Sequence, residues 1–256
     1  MKLLKRSLLI LMLIPILGAG GLSILLANPQ LVYAQKTMMG QVAIFHNVPL
    51  EEEASEVVRA AINQIAQSNL YQPDIQIELC LNENSSYPDL HPFSRGTAYS
   101  FWNKAVIYRC QPDFPSHIAT FQWLENQYEL RTFDLEWLIA HEFMHVLQYN
   151  WKPLLAMREP FWKVEGHAEY ISRGFKNDGA LPGKISRLFS EKDKPHVGIP
   201  VFPLENGTLQ NLSYFKYALM FQYLIEVESL TLKEVFNDLR SEGEVYHAMI
   251  SWFREY

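Results

Sequence analysis

The stretch Leu138-Ile-Ala-His141-Glu142-Phe-Met-His145-Val-Leu147 sets His-Glu-x-x-His inside an apolar run long enough for a buried helix. Leu135, Trp137, Leu138, Ile139, Phe143, Met144, Val146 and Leu147 leave that helix apolar almost all round. Two histidines and a glutamate buried there are costly without a partner, and a metal ion supplies one. At 3.6 residues per turn, His141 and His145 present their rings on one face, with Glu142 rotated by about 100°. Two imidazoles are nitrogen ligands for zinc, and the carboxylate between them can act as general base on zinc-bound water.

A third ligand is sought downstream in Trp162-Lys-Val-Glu165-Gly-His167-Ala-Glu169-Tyr170. If this segment is helical, Glu165 and Glu169 share a face, while His167 points about 160° from Glu165. Glu165 is assigned as the ligand. Glu169 is placed behind it, orienting a histidine by accepting its other ring N–H. His167 is the alternative ligand, and otherwise a plain core or surface histidine.

Lys2, Lys5 and Arg6 precede an uncharged run from Ser7 to Ala27. That is the basic and apolar pattern of an export signal, with a cleavage site readable after Ala34. The run is also close to the ~20 residues that span a bilayer, so residues 7–27 can equally serve as an uncleaved membrane anchor. Both outcomes place the body outside the cytoplasm, secreted, periplasmic or membrane-anchored. Residues 35–256 form a single domain in this reading. None of the 28 acidic residues lies in residues 1–34, so the remainder carries a net charge of −9 against −6 for the whole chain. An acidic body without a basic stripe argues against nucleic acid as partner. Cys80 and Cys110 are too few for a disulfide scaffold; one cross-strand bridge between them suits an oxidising compartment, with two buried free thiols as the alternative. The sequons at Asn84, Asn206 and Asn211 matter only where exported proteins are glycosylated.

The pattern is α+β: a small N-terminal mixed sheet with a helix, then a mainly helical lobe carrying the His-Glu-x-x-His helix. Strands are read at 41–46, 74–81 and 105–110, and a helix between 50 and 69. Residues 82–97 and 176–211 read as loops. Helices are expected at 115–126, 134–150, 160–174, 212–227, 231–241 and 243–255.

The two motifs together resemble the gluzincin clan of zinc peptidases, and most of all its peptidase-MA-like family. That family's pattern is His-Glu-x-x-His followed by Trp-x-x-Glu-Gly-x-Ala-x-Tyr. The resemblance implies His141, His145 and Glu165 as zinc ligands and Glu142 as general base. It extends weakly to Tyr214-Phe-Lys-Tyr217, which points to Tyr214, with Tyr217 close behind, as the donor that stabilises an oxyanion. It implies hydrolysis of a peptide or protein substrate, with strand addition near 105–110 as a substrate-binding mode. The aminopeptidase motif Gly-x-Met-Glu-Asn is absent, which favours endopeptidase action. A catalytically weak binding or assembly module with a structural zinc, and another zinc hydrolase, stay open beside it.

Overall fold

The computed structural model describes residues 21, 23–81, 98–107, 110–122, 130–175, 180–196 and 199–256. Most of the expected export segment, the expected 82–97 loop and Asn84 lie outside the described residues. The architecture is mixed α+β.

Strands β1 (Gln35–Met39) and β2 (Val42–His46) form a hairpin whose turn uses Gly40 at φ 59°. Helix α1 (Ala54–Ile65) buries Val57, Val58, Ala61 and Ile65 along one stripe. Then come β3 (Ile77–Leu81), β4 (Ala98–Phe101) and β5 (Lys104–Ile107). The sheet order is β1-β2-β3-β5-β4, with parallel pairs at its centre and antiparallel pairs at both edges.

Both faces of this sheet are covered, so its central strands are mostly apolar rather than alternating, with Glu78 of β3 and Lys104 of β5 paired to each other at 2.7 Å. Ile44, Leu79, Leu81 and Ile107 face α1 and the main core. Ala43, Phe45, Cys80 and Val106 face the other way, under Leu26, Val32 and Tyr33. Tyr33 is only 6% exposed and packs 6.1 Å from the Phe45 ring. A cut after Ala34 would therefore strip a core residue from the outer layer. No helix among the described residues is long and apolar enough to cross a membrane.

Strands β6 (Cys110–Asp113), β7 (Ile118–Gln122) and β8 (Leu130–Asp134) make a separate antiparallel sheet. The helix expected over 115–126 is thus replaced by β7 as far as Gln122, where Ile118 and Thr120 supply β-branched residues and two flanking strands supply pairing. Asp134 caps the next helix, α2 (Leu135–Trp151), by accepting from the Trp137 N–H at 2.9 Å. A short helix α3 (Leu155–Arg158) leads to α4 (Phe161–Ser172).

Within the span expected as loop, 176–211, lie helix α5 (Leu181–Lys192) and a hairpin of β9 (Val201–Pro203) and β10 (Leu209–Asn211). Leu181, Ile185 and Leu188 fall at helical spacing and are buried; the flanking Gly, Pro and Lys had masked that stripe. Helix α6 (Leu212–Gln222) runs on into a π turn, Tyr223–Val227. Helices α7 (Leu232–Asn237) and α8 (Glu242–Glu255) follow, each opened by a capping box.

The sheet, α1 and one side of α2 share the first core. Residues of α4 to α8 build the second. Helix α2 has the sheet and α1 on one side and α4 on the other, which is why its sequence is apolar all round.

The cysteines correct an expectation. Cys80 and Cys110 are buried thiols outside any disulfide. Cys80 belongs to the outer layer of the sheet and Cys110 to the main core, so no bridge joins them. Burial raises both thiols, Cys110 to about 12.

Candidate metal centre

Helices α2, α4 and α6 converge on one buried spot. Glycine decides how closely two of them approach: a Cβ at Gly166 of α4 would stand 2.7 Å from the Tyr217 carbonyl oxygen of α6. That contact is backbone, so no rotamer change relieves it. With glycine there, Tyr214, nearly one turn before Tyr217, lays its ring over His141, centroids 5.7 Å apart and planes 6° from parallel. Gly166→Ala should push α6 outward and cost about 1–3 kcal/mol of stability. Thermal unfolding would register that loss, and a variant as stable as the parent would refute the close-approach argument.

His141 Nε2, His145 Nε2 and Glu165 Oε2 form a small triangle with edges of 3.2, 3.2 and 3.5 Å. For an ion at the ~2.0–2.1 Å typical of zinc–nitrogen and zinc–oxygen bonds, tetrahedral geometry separates neighbouring ligand atoms by about 3.3 Å. The three atoms thus stand at the spacing one small divalent cation needs. They are the group of metal-capable side chains found among the described residues.

Behind the triangle each histidine has its own support. His141 Nδ1 lies 3.3 Å from Glu169 Oε2. Glu169 is fully buried and accepts from Trp137 Nε1 at 2.9 Å, Arg173 Nε at 2.9 Å and Gln210 Nε2 at 3.0 Å. The His145 Nδ1–H donates to Gln148 Oε1 at 2.8 Å. His167, the alternative ligand, is not in the triangle: it is buried, with its ring against Phe221 and Phe236 and its Nδ1 3.1 Å from Gln148 Nε2. Gln148, Trp137 and Gln210 were not singled out in the sequence. Gln148 could have been, since it sits three residues after His145 on the same helix face.

Charges in the site are tightly coupled. Burial opposes a charge on His141, yet Glu165 and Glu169 raise it to about 10. His145 is also raised, by Glu165 against burial. Burial would raise Glu165 and Glu169, but the histidines hold Glu165 far below the usual carboxylate range and Arg173 and His141 hold Glu169 at about 2. His167 is pushed down to about 3 by burial and then by His145.

A sign follows for the metal-free protein. A histidine raised in the folded state adds stability fully present below its unfolded value near 6.5, lost as pH rises through the folded value. Metal-free protein should therefore lose stability between about pH 6.5 and 10, and metal uptake near neutrality should release protons. Thermal melts across that range, and calorimetry in buffers of different ionisation enthalpy, check both; a flat profile with no proton release would contradict the coupling.

Glu142 is buried, and desolvation raises its pKa. Its Oε2 has no hydrogen-bond partner among the described residues, while the Ser100 side chain of β4 hydrogen-bonds the carboxylate. Tyr214 is held protonated, well above its usual value, first by burial and then by Glu165, Glu142 and Glu169. Tyr217 is half-buried beside Phe161 and Lys216, and it is raised first by burial and then by Glu242.

The strand expected to take substrate, near 105–110, is not available for it. β5 is paired on both sides, by β3 and β4. The edge on this side of the sheet is β4, which has no second strand partner among the described residues. Comparison of the chain with protein-family models, curated proteins and solved structures gives no match.

Proposed function

We propose that this chain is a zinc-dependent metallopeptidase, gluzincin-like, acting outside the cytoplasm on peptide or protein substrates. The observation that carries the reading is Glu142. It stands on the helix that carries two of the three triangle residues, buried, with one carboxylate oxygen unpartnered among the described residues. A purely structural metal site has no use for such a group.

His141, His145 and Glu165 would hold the zinc. When bound, zinc lowers the pKa of water towards ~7 and polarises a carbonyl. Glu142 takes up the proton of the attacking water and returns it to the leaving amine; its raised pKa suits a group that must do both. Tyr214, kept protonated, is a hydrogen-bond donor for an oxyanion at the site, and its stacking on His141 favours it over Tyr217. The edge of β4, whose Ser100 touches Glu142, supports a substrate bound as an added strand. The basic residues before Ser7–Ala27 support export or anchoring.

The test is zinc content of the purified protein together with chelator-sensitive cleavage of a mixed peptide library. Stoichiometric zinc with internal cleavage abolished by chelator is expected. Bound zinc without cleavage would turn the reading into a binding module, and no bound metal would end it.

A further inference from the structure

We propose that Gln148 fixes the tautomer of His145 and that His167 holds Gln148 in the orientation this requires. The inference rests on the metal-site reading above, and it gives His167 a role as a positioning residue rather than as a ligand.

The argument is one of hydrogen-bond direction. A histidine that binds a metal through Nε2 carries its proton on Nδ1, so Nδ1 must face an acceptor. For His145 that acceptor is Gln148 Oε1 at 2.8 Å. A glutamine amide, however, offers an oxygen on one side and an NH2 group on the other. Turned over, Gln148 would present N–H to His145 Nδ1, drive the ring proton to Nε2, and block the metal-facing nitrogen. Two acceptors prevent this. The Gln148 NH2 group donates to the Val164 carbonyl at 2.9 Å and to His167 Nδ1 at 3.1 Å. Turning the amide would set its oxygen against both acceptors.

Gln148 and His167 are each 2% exposed, so no water is at hand to replace a lost partner. For its part His167 accepts at Nδ1, which leaves its own proton on Nε2. Packing against Phe221 and Phe236 keeps that ring in place. Val164 and His167 both lie on α4, with Glu165 between them. One helix thereby supplies the third ligand and also sets the protonation pattern of the second.

The test is zinc affinity of the full chain, measured by competition with a chromophoric chelator. Gln148→Met and His167→Leu should each weaken zinc by about 10- to 100-fold, the usual loss for an outer partner of a metal ligand. Because His167 acts only through Gln148, the double variant should bind zinc no more weakly than Gln148→Met alone. His167→Asn, whose side-chain oxygen can accept where Nδ1 did, should restore most of the affinity; general damage to packing would not be repaired that way. If His167→Leu fails to fold, Gln148→Met and His167→Asn still decide the matter. Wild-type affinity in Gln148→Met or His167→Leu, additive losses in the double variant, or a His167→Asn as weak as His167→Leu would each overturn the inference while leaving the metal site standing. A parent protein that binds no zinc would instead overturn the metal site itself.

Discussion

Glu142→Gln should keep its zinc and lose its hydrolysis. The substitution removes only the group that accepts and returns a proton, and none of the three ligand atoms belongs to it. General acid–base catalysis contributes about 10²- to 10⁴-fold, so kcat/KM for any peptide the parent cleaves should drop by at least that span. Folding should not suffer. Burial already disfavours a charge on Glu142, and a neutral amide of the same shape avoids that cost while still bonding Ser100. The measurement is zinc content, melting temperature and kcat/KM on one preparation. An unchanged rate would remove Glu142 from the mechanism.

Glu165→Ala should abolish metal binding more completely than any change at Gln148 or His167. It deletes one vertex of the triangle and leaves His141 and His145 with their Nε2 atoms 3.2 Å apart and no carboxylate between them. It also removes the one carboxylate that raises both histidines, so His145 should fall as burial takes over, while His141 falls less because Glu169 still supports its charge. The pH dependence of metal-free stability above pH 6.5 should therefore flatten in this variant. Chelator competition gives the affinity and pH-dependent melts give the second effect. If Glu165→Ala bound zinc more tightly than His167→Leu, the ligand assignment would be reversed.

How legible the site was depends on range. His141, Glu142 and His145 are four residues apart at most, and helical periodicity alone puts the two rings together. Glu165 and Glu169 could be ranked above His167 because one turn of helix separates the glutamates and two residues turn the histidine away. The contacts of His167 with Gln148, Phe221 and Phe236 agree with that angular separation. Gln148 was just as local, but a glutamine on an apolar helix carries no signal until its partners on α4 are known. The stacking of Tyr214 on His141 lay beyond any local rule, since it depends on Gly166 letting α6 approach to backbone contact.

The errors have a shared cause. The helix expected over 115–126 and the loop expected over 176–211 both rest on local pattern alone, which carries no information about distant partners. What makes β7 a strand is pairing with β6 and β8, and what orders α5 is burial of Leu181, Ile185 and Leu188 against the second core. The cysteine bridge failed for a similar reason: strand assignment did not say which face each thiol would meet, and they meet different ones.

By itself, then, the sequence determined the mixed α+β class, the buried helix with two histidines on one face, and the segment that carries the third carboxylate. These follow from backbone periodicity and the cost of burying charge, both local properties. Only the tertiary structure decided that the three ligand atoms close to within 3.2–3.5 Å, that β4 rather than β5 is the open edge beside Glu142, and that Gln148 faces His145 with its oxygen. The β4 edge depends on strand pairing and the other two on how α2 and α4 pack, and both bring together residues that the chain keeps far apart.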